Sequence, residues 1–188
     1  MSAPNELDLA EVRRALRPRL VLGRALRAAR LEPALYEEVE ADRESVWQAG
    51  AIVIAAWIAT AIYQLRTGAE ATTADFAAGA FSAIVAWGGY AAAVWLLGTT
   101  FLRGRETSAD IGEVMRTLGF ASAPLVLLAV IPVAFAGLAF LWQLLATVVA
   151  VRAALDIGTL RAVIVAALGT ALYAYLEATI GGIATALV

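Results

Sequence analysis

Residues 114–151 read VMRTLGFASAPLVLLAVIPVAFAGLAFLWQLLATVVAV, nearly 40 positions in which Arg116 is the only charged side chain. As a single helix this stretch would run to about 57 Å, almost twice the ~30 Å hydrocarbon core of a bilayer. Pro132 sits near its middle, where it removes a backbone donor and disfavours helix at the residue before it. Two antiparallel helices reversing at Pro132 resolve both problems, because each then satisfies its own backbone in lipid. The expected spans are about Val114–Ile131 and Val133–Val151.

Working outward, three further apolar runs share this character: Val46–Leu65, Phe76–Leu102 and Ala162 to the C-terminus. The expected architecture is all-α: a five-helix transmembrane domain over residues 46–188, preceded by a cytoplasmic, interfacial helical segment over residues 1–45. Composition supports it. Hydrophobic residues make up 62% of the 188 and mean hydropathy is +0.79, above the roughly 45–50% apolar content of a soluble domain. Residues 1–45 show no apolar core behind a short basic start, so the first span is expected to act as its own insertion signal.

In that first segment Glu6–Leu16 and Arg19–Arg30 read as short helices separated by Pro18. Leu22, Leu26 and Ala29 share one face of the second, and Arg19, Arg27 and Arg30 another, the pattern of a helix lying at a membrane surface. The acidic run Glu37, Glu38, Glu40, Asp42 and Glu44 then reads as a solvated lead-in to the membrane.

Arginine distribution sets the expected orientation. With the N-terminus inside, every arginine but Arg66 falls on the cytoplasmic side, as the positive-inside rule requires. Arg19, Arg27, Arg30, Arg103 and Arg105 are then expected against anionic lipid headgroups or a partner, not nucleic acid. Basic charge is carried by Arg alone, which with the abundant Ala suggests a GC-rich bacterial genome and a bacterial cytoplasmic (inner) membrane.

The missing residue types exclude most chemistry. Without His, Cys or Lys there is no thiolate–imidazole metal site, no Schiff base, and no base to activate the five serines. Neither an enzyme nor a cofactor is expected.

The third helix carries Leu118-Gly119-Phe120-Ala121-Ser122-Ala123-Pro124. The fourth ends in Val151-Arg152-Ala153-Ala154-Leu155-Asp156 before Arg161-Ala162, and the first is led in by Pro33-Ala34-Leu35-Tyr36-Glu37-Glu38. In this order and spacing the three stretches resemble the Yip1 family of five-helix membrane proteins, over about residues 31–170. The resemblance implies five spans with a cytoplasmic N-terminus. Eukaryotic members are associated with vesicle trafficking and small GTPases. Their aspartate-leucine-tyrosine-glycine-proline run is absent here, its nearest counterpart being Leu35-Tyr36-Glu37-Glu38. For a bacterial-type member the resemblance implies a fold and a place.

Two groups of residues stand out inside the membrane. Gly119 lets a neighbouring helix approach closely, and Pro124, after Phe120, bends its helix and frees a carbonyl. The expected role is a packing kink, the alternative a hinge lining a site. Glu177 lies deep in the last run, where a carboxylate costs about 2.5–3.5 kcal/mol unless protonated, paired or brought to the interface. It shares a helical stripe with Thr170 and Tyr173, while Thr60, Gln64, Ser82, Gln143 and Thr147 offer polar partners from other helices. The expected arrangement is a polar cluster centred on Glu177, either an interhelical hydrogen-bond network or a proton-linked pathway.

Among the aromatics, Trp47, Tyr63, Trp95 and Phe101 suit the membrane interfaces, and Trp57, Trp87 and Trp142 space-filling between helices or contact with lipid. Gly88, Gly89 and Ala92 offer a close helix crossing or the seam of a homo-oligomer. Two functions fit this sequence. The first is a non-catalytic membrane-organising or adaptor protein that holds a cytosolic or membrane partner through residues 1–45. The second is a small oligomeric transporter or channel around Glu177.

Overall fold

The computed structural model describes residues 15–70, 72–104 and 109–186, and of residues 74, 173, 174 and 176–186 the backbone alone. The elements, in chain order, are α1 (Pro18–Ala29), α2 (Pro33–Ala41), α3 (Ser45–Arg66), α4 (Thr73–Leu96), α5 (Ile111–Ala121), α6 (Ala136–Ala154) and α7 (Thr159–Ala186). A π-turn, Leu97–Phe101, prolongs α4. A 3₁₀ segment, Ala123–Ala129, prolongs α5, and a short one, Val133–Phe135, leads into α6.

Among the described residues four stretches are long and apolar enough to cross a membrane: Ser45–Arg66, Asp75–Phe101, Ile111–Ala129 and Val133–Ala154. The 28 residues of α7 extend to about 42 Å, enough for a fifth. The reversal at Pro132 falls where the apolar length demanded it, between two 3₁₀ segments.

Local sequence explains where the helices begin and end. Pro18 and Pro33 open α1 and α2 at positions where a missing N–H costs nothing; the helix expected over Glu6–Leu16 lies largely outside the described residues. Reciprocal capping boxes start α4, from Thr72 and Asp75, and α5, from Asp110 and Glu113. The α1–α2 turn closes with Leu31 N–H on the Ala28 carbonyl and Glu32 N–H on that of Arg27. This places Leu31 at φ 59°, a left-handed conformation usually left to glycine.

In the bundle α5 is central, with α3, α4 and α6 around it and α7 against α4 and α6. Its closest approach is the one expected at Gly119. A Cβ there would lie 2.5 Å from Ala49 Cβ and 3.0 Å from Ala49 Cα on α3. A second tight crossing joins Gly169 of α7 to Val94 of α4. The small-residue patch expected to form a crossing on α4 does not do so at Gly88, where an added Cβ would meet nothing within 4 Å.

The acidic lead-in is not a solvated helix. Leu35, Tyr36 and Val39 of α2 are fully buried and belong to the same core as Phe120, Val151 and Leu155. Glu37 and Glu38 are exposed and Glu40 is half-buried, so a charge-rich run conceals an apolar stripe at helical spacing.

Candidate functional site

Two constructions merit attention: the fastening of α1 and α2 to one end of the bundle, and a cavity inside it. The fastening rests on four side chains, Arg24, Arg27, Arg116 and Trp142. Arg24 of α1, with only 11% of its side chain exposed, reaches Glu38 and Asp42 at 2.8 Å each and donates to Gln48 Oε1 of α3 at 3.0 Å. Arg27 is held by Glu32 at 3.0 Å and Glu38 at 2.6 Å. Its guanidinium holds the Glu38 carboxyl below the usual carboxylate range, against the opposing push of burial. Buried Arg116 of α5 donates to the Val39 and Glu40 carbonyls, placing a cation at the C-terminus of α2. Partial burial, together with Asp156 and Glu113, pushes the Glu40 carboxyl up to about 7. Trp142 Nε1 of α6 donates to the Ala29 carbonyl at 2.7 Å and anchors the far end of α1.

The other end of the bundle carries Arg66, whose Nη1 reaches the carbonyls of Leu128 and Ala129 where the 3₁₀ segment runs out, at 3.3 Å each. At the opposite end Arg116 is bonded to α2 and Arg152 lines a cleft with Pro33 and Glu37 of α2, while Arg161 reaches the Arg103 carbonyl.

The cavity follows from the break in α5. At Ser122 the N–H reverts to an i−3 partner, the Gly119 carbonyl, at 3.2 Å, and from Ala123 the chain runs on as 3₁₀ helix through Pro124. This segment leans on α3 and α6. A space of about 490 Å³ opens beside it, walled by Trp57, Trp87, Leu118, Phe140 and Leu144, with Thr60, Ser122, Gln143, Thr147 and Thr170 among the lining residues. The kink and the polar positions, read separately in the sequence, belong to one feature.

The structure unites only part of the expected cluster. Thr60, Gln143 and Thr147 share the cavity wall. Gln64 lies in a separate cleft with Glu70 and Asp75, and Ser82 is exposed. The side chains of Tyr173 and Glu177 lie outside the described residues, as does Arg105. Phe120 and Pro124 are buried. Arg19, Arg30 and Arg103 are exposed, whereas Arg27 is engaged by carboxylates of its own chain.

Sequence reasoning missed Arg24 as the central tie. An arginine three and four residues from the half-buried Val21 and the buried Ala28 was the available signal. Trp142 was placed between helices or toward lipid, and its N–H proves to hold α1.

A Yip1 domain matches residues 32–179. The chain belongs to the Yip1 family. The family's members are non-catalytic membrane proteins, and this one is multi-pass. Its Yip1 domain begins at Glu32, directly after the left-handed Leu31, so that α1 precedes the matched region and α2 opens it. No curated protein and no solved structure matches the chain.

Proposed function

We propose that this Yip1 protein is a membrane-organising adaptor of a bacterial cytoplasmic membrane, with α1 and α2 on the cytoplasmic side and the C-terminus outside. The crowding of arginines at the α1–α2 end supports the orientation through the positive-inside rule.

The observation that carries the adaptor reading is the surface of α1. The helix is firmly tied by Arg24, Arg27 and Trp142, yet it leaves Leu22 and Leu26 on one face at 61% and 50% exposure beside the exposed Arg19 and Arg30. A docked helix that keeps an apolar row and free cations outward is built to meet anionic lipid headgroups and a partner at the membrane surface. It stands outside the family domain, and so supplies what is particular to this chain.

The test is the double substitution Leu22→Glu and Leu26→Glu in the full chain. Deleting α1 and α2 would instead remove Leu35, Tyr36 and Val39 from the core. The variant is expected to keep its detergent stability but to lose co-purifying partners and cross-links to anionic lipid. An unchanged set of partners and lipids, with stability retained, refutes the adaptor reading.

A further inference from the structure

We propose that the cleft between α2 and the end of α6 binds the headgroup of a phospholipid that carries a phosphate and a primary ammonium together, the chemistry of phosphatidylethanolamine. The cleft holds about 290 Å³ and is lined by Pro33 and Glu37 of α2, by Val149 and Arg152 of α6, and by Asp156 in the turn that follows. That is the lower edge of the roughly 300–1,000 Å³ of small-molecule sites, room for a headgroup with its acyl chains left outside. Val133–Ala154 is long and apolar enough to cross a membrane, so a cleft at its last turn lies where headgroups lie.

The order of side chains along α6 matches the order of parts in such a lipid. Leu138, Leu141 and Leu145 share one helical stripe with Val149 and Arg152, and are 62%, 54% and 49% exposed. They offer an acyl chain an open track that ends at the cleft, which commits the occupant to a lipid. Arg152 comes next, and its guanidinium matches phosphate oxygens with paired donors. Asp156 lies four residues beyond, and with Glu37 of α2 it brings two carboxylates to the same cleft. Arg152, Glu37 and Asp156 are exposed, and among the described residues no ion pair engages any of them. Both signs of charge are therefore open to a guest. Burial, then the charges of Asp156, Glu113 and Glu37, hold up the nearby Glu40 carboxyl against the pull of Arg116, so carboxylates crowd this end. A phosphatidylglycerol would satisfy Arg152 and leave the carboxylates unanswered. A primary ammonium answers them with three donors, where a quaternary one has none.

The experiment adds to the purified full-length protein, in dodecyl maltoside micelles, a phosphatidylethanolamine with a diazirine in its acyl chain, and maps photo-cross-links along α6. Cross-links are expected at Leu141 and Leu145. Unlabelled phosphatidylethanolamine should displace them at about one-fifth of the concentration that phosphatidylglycerol needs, the preference expected of an exposed ion pair. Glu37→Gln combined with Asp156→Asn is expected to bring the two competitors level; asparagine tolerates the left-handed φ of 49° at position 156. Arg152→Gln is expected to weaken both competitors alike. Should it fail to fold, Val149→Phe, which crowds the cleft, is expected to do the same. Cross-links that no lipid displaces, or that Arg152→Gln leaves unchanged, mark ordinary boundary lipid and overturn the site. Equal displacement from the wild type by the two lipids overturns recognition of the ammonium. Displacement by soluble glycerophosphoethanolamine as readily as by the lipid overturns the lipid as occupant and assigns the cleft to a free phosphate ester.

Discussion

Replacing Gly119 by Ala tests the central contact of the bundle. Alanine gains about 1 kcal/mol over glycine inside a helix. Overpacking a close contact costs about 1–3 kcal/mol. Here the added methyl meets Ala49 Cβ at 2.5 Å and the Ala49 backbone at 3.0 and 3.2 Å. Backbone cannot rotate aside as a side chain does, so the upper part of that range applies and the net loss is about 2 kcal/mol. Gly88→Ala, which meets nothing within 4 Å, keeps the propensity gain of up to about 1 kcal/mol. Pairing Ala49→Gly with Gly119→Ala removes the Cβ–Cβ conflict, leaves the backbone contacts, and so restores about half of the loss. The assay is reversible unfolding in mixed dodecyl maltoside and SDS micelles, followed by circular dichroism. A Gly119→Ala protein as stable as the wild type would refute the close α3–α5 crossing, and with it the alignment that places the α5 break beside the cavity.

Three further outcomes are expected. Arg24→Met strips Glu38, Asp42 and the buried Gln48 of a shared donor and costs about 2 kcal/mol, below the full penalty for a buried pair because both carboxylates are partly exposed; the same unfolding titration reads it, with a smaller loss for Arg27→Met. Glu40, held up to about 7 in the folded state against 4.5 ordinarily, keeps its proton longer when folded, so stability falls as pH rises from about 4.5 to 7. Glu40→Gln is expected to flatten that fall and, after discounting for solvent screening, to exceed the wild type by about 1 kcal/mol at pH 8 but not at pH 4.5. Trp142→Phe removes the bond to the Ala29 carbonyl, worth about 1 kcal/mol. Trypsin should then cut between Arg19 and Arg30 about five-fold faster, with cleavage elsewhere unchanged.

The five helices were legible because their signal is local: runs of apolar side chains about 30 Å long, and a proline at the one place where a run was twice too long. Gly119 and Pro124 were legible for a related reason, since each changes what its own backbone can do. The candidate site was legible only in part. Thr60, Gln143 and Thr147 line one cavity, whereas Gln64 and Ser82 share their approximate depth without their direction. Depth follows from counting residues, whereas direction depends on how each helix is rotated against its neighbours, and on α6 and α7 apolar side chains fall on every side, so their pattern singles out no face for the core.

The same division runs through the whole molecule. Sequence by itself determined that this chain is all-α, multi-pass, of the Yip1 family and without His, Cys or Lys, because hydropathy, proline and residue inventory act position by position. Tertiary structure alone decided that α2 is a core element, that Arg24 and Arg116 fasten it, and that the α5 break opens a cavity around Gln143. Those facts depend on which surfaces face each other across 24 to 77 residues of chain. No local pattern encodes that pairing; it emerges when the helices settle where their small residues allow the closest approach and their buried polar groups find partners.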